Sequence, residues 1–131
     1  MATIQEVAPF ADQAWSSGNL SNASAVATIP AVVDQYGVLT SVIITGGGAS
    51  AASLVNMTIA GLKAGTITLP IPVASGVTAP MVSSNGMIIW TPPNELVGSA
   101  VNTAITVTLP TLGTGSTNSA VVALGHYRGQ N

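Results

Sequence analysis

His126 is the one imidazole in this chain, and there is no cysteine to act as a nucleophile or a thiolate ligand. The charged side chains are four carboxylates (Glu6, Asp12, Asp34 and Glu95) and two cations (Lys63 and Arg128). A Ser–His–Asp relay needs only spatial neighbours, so His126 keeps that arrangement formally open. No G-x-S-x-G turn presents a serine to it, and His126 reads as an ordinary strand histidine near a surface or interface. Asp34 and Glu95 are the carboxylate pair that could flank a glycosidic bond, but both fall in loops without a supporting cluster. No two acidic residues lie within five positions of each other, so a local metal site is rejected. The run Gly46-Gly47-Gly48 is followed by A-S-A-A-S, which lacks the lysine that a phosphate-cradling loop requires. Asn22-Ala23-Ser24 and Asn56-Met57-Thr58 match the glycosylation sequon, a coincidence in a chain this rich in Asn, Ser and Thr. No catalytic residue, metal ligand or cofactor-binding residue emerges, and no enzymatic activity is expected.

The aromatic residues carry more information. Trp90, before Thr91-Pro92-Pro93, is either a sugar-stacking platform or a core-rim tryptophan under a proline loop. Tyr127 and Arg128, at the end of the last apolar run, make either an intersubunit contact or a solvated strand end. Phe10 and Trp15 belong to an N-terminal segment of weak periodicity. That segment is either an anchor docking on a neighbouring subunit or an arm folded over its own domain, and rigid aromatics are the natural anchors in the first case. Phe10, Trp15, Trp90, Tyr127 and Arg128 are therefore the candidate interface residues.

The elements that must position them are strands. Residues 101–109 read V-N-T-A-I-T-V-T-L, with Val101, Thr103, Ile105, Val107 and Leu109 on one side, the period of two of a strand with one buried face. Pro110 ends it. The same grammar predicts strands at 24–29, 38–45, 53–60, 66–71, 87–90 and 120–127, with a brief pairing at 81–83. Residues 38–45 (V-L-T-S-V-I-I-T) are apolar on both faces, which predicts a central strand or one covered on both sides. Pro70 and Pro72 confine the strand at 66–71 to an edge. Residues 34–37, 46–48 and 61–65 read as turns or loops, the last with Lys63 at its tip. Asn85-Gly86 marks a hairpin, and residues 113–119 read as the hairpin loop that pairs 101–109 with 120–127. The expected architecture is all-β: a single β-sandwich or jelly-roll-like domain of about 7–8 short antiparallel strands over residues 24–131, preceded by an extended N-terminal arm over 1–23.

Composition sets the surface. Charged residues make up 5% of the chain, against about 25% in ordinary soluble domains. Their place is taken by 15 Thr, 13 Ser and 14 Gly, beside 47% hydrophobic residues. Such a chain should fold, because disorder goes with low hydrophobicity and high charge. Its surface must be neutral and cheap to desolvate, which suits permanent contact with other protein. Two scattered cations form no patch for phosphates, so nucleic acid is not an expected partner. No apolar run of about 18 residues crosses a membrane, five aromatics are too few for the girdles of an outer-membrane barrel, and the N-terminus has no signal-peptide pattern.

Residues 24–128 resemble small β-sandwich proteins of tailed-bacteriophage particles. The resemblance is carried by V-L-T-S-V-I-I-T, the turn W-T-P-P-N-E-L-V-G-S-A, the strand V-N-T-A-I-T-V-T-L-P and the closing A-V-V-A-L-G-H-Y-R-G. It implies a virion structural role: a capsid decoration (cement) protein that contacts the major capsid protein and copies of itself as a homo-oligomer, a trimer first of all. A component of the neck, tail or fibre, or a glycan-binding adhesin-type sandwich, is the alternative. The resemblance brings no catalytic residue with it.

Overall fold

A computed structural model describes residues 13–75, 87–116 and 118–129. Among them are nine strands and no helix: β1 (Gln13–Ser16), β2 (Ala25–Ile29), β3 (Gln35–Gly47), β4 (Ser53–Ala60), β5 (Ile67–Val73), β6 (Met87–Trp90), β7 (Leu96–Val97), β8 (Ile105–Leu109) and β9 (Asn118–Gly129). They form two antiparallel sheets. One has the order β1-β9-β3-β6, with β7 also paired to β3; the other has the order β2-β8-β4-β5. The all-β sandwich expected from the alternation is therefore present. Two of its strands, β1 and β7, fall where an arm and a loop were expected. The expected pairing at 81–83 and the Asn85-Gly86 hairpin lie outside the described residues, as does Phe10.

The alternation is literal in β2 and β8, where every second residue is fully buried. Ala25, Ala27 and Ile29 meet Ile105, Val107 and Leu109 across the ladder, and Met57, Ile59 and Ile71 extend the same inward layer. The first sheet answers with Leu39, Val42, Ile44, Val121 and Ala123. Each large apolar side chain buried in this layer contributes about 1.5–3 kcal/mol relative to exposure.

Residues 101–109 do not form one strand. Val101 and Asn102 make a turn, with Asn102 at φ 55°. Thr103 Oγ1 donates back to the Val101 carbonyl oxygen at 3.2 Å. Short polar side chains that bond their own backbone favour turns over ladders, so the strand starts at Ile105. Nor does this strand pair with the last one. β8 is held between β2 and β4, while β9 lies between β1 and β3. The connection after Pro110 crosses from one sheet to the other. Leu112, buried on that connection, occupies the space where a Cβ on Gly46 would fall. An apolar plug of this kind holds a crossing, and an exposed hairpin tip has no use for one.

Two further turn expectations change. The β2–β3 turn sits at Val33-Asp34, with Asp34 at φ 62° and Gln35 N–H donating to the Val32 oxygen at 3.2 Å. Gln35, Tyr36 and Gly37 already belong to β3. Gly46 and Gly47 likewise remain in β3, and only Gly48 leaves it, at φ 89°. The turn at 61–65 is as expected, with positive φ at Gly61 and Gly65.

β3 is the spine of the first sheet and carries a bulge. Leu39 pairs with Gly125 and Ser41 with Leu124, leaving Thr40 as the extra residue. Its Oγ1 donates to the Leu124 oxygen at 3.0 Å. The bulge moves the inward set from Leu39 to Val42 and Ile44, the change of parity that such an insertion imposes. β5 is the edge of the second sheet, as its prolines predict. Pro70 and Pro72 share one parity opposite Asn56 and Leu54.

Candidate interaction surface

Phe10 lies outside the described residues, and the other four residues singled out in the sequence divide among three places. Trp15 lies in β1 opposite Ala123 and packs half-buried on the core. Its ring meets that of Tyr127 edge-to-face, with centroids 5.8 Å apart and planes at 82°, a geometry worth about 0.5–1.5 kcal/mol beyond buried area. Of the two readings of the N-terminal segment, the described part of it, β1, sits on its own sandwich. Trp90 lies in β6 with Ile88, also half-buried against the core, which is the core-rim position. Arg128 is exposed at the end of β9, opposite Tyr36.

Tyr127 donates its hydroxyl to the Pro30 carbonyl oxygen at 2.8 Å. Burial pushes this phenol above the usual tyrosine range. The folded value then exceeds the unfolded one of about 10, so the stabilisation is complete below that pH and is lost as pH rises through the folded value. Urea unfolding between pH 8 and 11 should show the native protein losing stability relative to Tyr127→Phe at the alkaline end. Equal pH slopes for the two proteins would refute this.

The outer ends of β9 and β7 bring together two groups that the sequence does not connect. His126 Nε2 lies 3.5 Å from Glu95 Oε2, with the side chains 20% and 49% exposed. Register places Val38 between them on the same face, opposite both His126 and Val97. This explains why Val38 is fully buried yet stands outside the core cluster. A partly exposed pair of this kind is worth about 0.2–1 kcal/mol. Glu95→Gln should therefore shift the urea midpoint by an amount equivalent to less than about 1 kcal/mol, and a larger loss would make the pair a structural element in its own right.

Beside the pair, Lys63, Ala64, Glu95, Leu96 and Val97 line a shallow cleft of about 320 Å³, near the lower end of ligand-pocket sizes. Backbone bonds close its floor: Lys63 N–H donates to the Val97 oxygen at 2.9 Å and Ser99 N–H to the Gly61 oxygen at 2.8 Å. Among the described residues no group of three or more His, Asp or Glu side chains is placed to hold a metal ion, and no helix is long and apolar enough to cross a membrane.

The charges of the described residues share one pole of the sandwich. Asp34 stands on the turn into β3. Arg128 pairs with Tyr36 at the start of β3, Glu95 precedes the strand that pairs with Val38 and Leu39, and Lys63 is bonded to Val97. Away from this pole the described residues of both broad faces are uncharged. On the second sheet, Val26, Thr108, Thr58 and Thr68 form one row across all four strands, and Thr28, Thr106 and Ala60 another. On the first sheet, Ile43, Val122 and Leu124 point away from the core, half-buried, with Ile89 63% and Met87 37% exposed beside them. The two-faced apolarity of residues 38–45 was the signal for this surface. The five candidate residues did not include it, because aromatic and charged side chains mark a surface more visibly in a sequence than isoleucine and valine do.

No protein-family model, curated protein or solved structure matches the chain.

Proposed function

We propose that this chain is a non-enzymatic structural subunit of a tailed-bacteriophage particle, a capsid decoration protein. It binds the outside of the head shell through the major capsid protein, associates with copies of itself, and bridges capsomers. The observation that carries the reading is the distribution of charge. Two broad sheet faces bear neutral Thr, Val, Ile and Ala side chains, and the described charges are gathered at one pole. Burying such faces against protein strips little bound water from them and leaves no ion unpaired. Bridging of this kind works by area and number: standard contacts bury about 1,200–2,000 Å², and repeated copies add through avidity. The phage setting rests on the resemblance of residues 24–128.

The glycan-binding alternative asks for an aromatic ring lying open to solvent. Trp90 and Tyr36, the rings it would use, are both half-buried, so the structural reading is preferred.

The test is the copy number of this chain in purified particles, by quantitative mass spectrometry. Hundreds of copies per particle support a shell decoration. A few to a few dozen move the protein to the neck, tail or fibre. Absence from particles overturns the virion reading altogether.

A further inference from the structure

The outer face of the first sheet shows what its partner must be like. Its centre is a row running Ser16, Val122, Ile43, Ile89 across β1, β9, β3 and β6. Leu124 and Ala14 extend it on one side and Met87 with Thr45 on the other. Ile43, Val122 and Leu124 are absent from the core cluster, so among the described residues their apolar surface takes no part in the core. Contiguous exposed apolar patches of this kind mark interaction sites.

Size and charge choose the occupant. At about 3.3 Å per residue and about 4.8 Å between strands, the paired length of β3 and β9 with its two short flanking strands gives a footprint on the order of 500 Å². Two such faces together bury about 1,000 Å², the lower bound for a specific contact. Stacked sheets need a face with no ion at its centre, and the described residues of this face meet that condition against a second copy. Its one charged end, Glu95, His126 and Arg128, breaks the symmetry of the choice. Stacked in the same direction, two copies would set Arg128 against Arg128 and Glu95 against Glu95. Turned by a two-fold axis that lies between the two faces and runs across the strands, each charged end lies over the uncharged Thr45–Met87 end of its partner.

We infer that the outer face of the first sheet is the contact between two copies of this chain, stacked sheet on sheet about a two-fold axis near Ile43. The contact is isologous and closes at two copies, so it replaces the three-fold association that the family resemblance suggests. It deepens the structural-subunit reading by giving the subunit its self-contact, and the two fail separately. A monomer that is abundant in particles keeps that reading and sinks this inference.

The experiment is sedimentation equilibrium of the full chain from 1 to 200 µM. The mass should rise from 12.9 kDa to twice that value, with a dissociation constant in the micromolar range expected of a contact this small. Ile89→Lys, at an exposed edge position that the fold does not need, should weaken association at least tenfold. Leu54→Lys, equally exposed on the second sheet, should leave it unchanged. Because the chain has no cysteine, Ile43→Cys should form a disulfide-linked dimer under mild oxidation, whereas Leu54→Cys should not. A monomer at every concentration, a three-copy mass, or a dimer indifferent to Ile89→Lys overturns the inference.

Discussion

Replacing Gly125 with alanine is expected to destabilise the sandwich by about 3 kcal/mol or more, one of the largest effects available to a single methyl group. Gly125 pairs with Leu39 at the bulge in β3. A Cβ built there runs into the carbonyl oxygen of Val38, with the Leu39 backbone close behind. Both obstacles are main chain, so no rotamer change relieves the clash, and β9 must draw away from β3 where the spine is most tightly held. The expected result is a fall in melting temperature of roughly 10 °C for a domain of this size. Gly129→Ala is the control: it lies in the same strand and a Cβ there meets nothing within 4 Å. Thermal or urea unfolding decides the matter, and a Gly125→Ala protein within 1 kcal/mol of the native one would show that the bulge is not the rigid point described above.

Ile105→Ala should cost about 3–5 kcal/mol, in the upper part of the range for such truncations. Ile105 is fully buried and crosses the gap between the sheets towards Gly37. A Cβ at Gly37 would stand 3.4 Å from Ile105 Cδ1 and 3.4 Å from Ile29 Cγ2. The first sheet therefore contributes no side chain there that could relax into the space left behind, and unrelaxed cavities cost the most. The arrangement also predicts a partial cure. Gly37→Ala in the Ile105→Ala background should recover about 1 kcal/mol, a coupling expected only of residues in contact. Additive losses in the double-mutant cycle would rule out the proposed contact across the sheets.

How far the sequence could be read follows from what alternation encodes. A period of two fixes which face of a strand turns inward, and β2, β4 and β8 follow it. It says nothing about which strand lies alongside, so pairing 101–109 with 120–127 by proximity in the chain placed two strands of different sheets together. Leu112 was the available clue, an apolar residue in a stretch otherwise composed for a loop. The extra residue at Thr40 was harder to see. It makes residues 38–45 look apolar on both sides partly because the inward set changes parity in the middle of the strand. Trp15 and Tyr127 were both visible as anchoring rings, but only folding shows that each anchors the other. The meeting of Glu95 with His126 had no local signal, since it depends on β7 and β9 flanking β3.

The prolines of β5 bear on what happens when many copies are crowded together. Pro70 and Pro72 occupy one parity of an edge strand that still pairs with β4 along its length, so the donors they remove are those that would face an incoming chain. Among the described residues the other edges are short: β1 and β6 have four residues each and β2 has five. A protein with this little charge cannot rely on repulsion to stop strand-by-strand polymerisation. Here the protection is built into the main chain, where neither salt nor pH can weaken it. Such an edge is expected to let the chain be packed to high local density without seeding ribbons or fibrils.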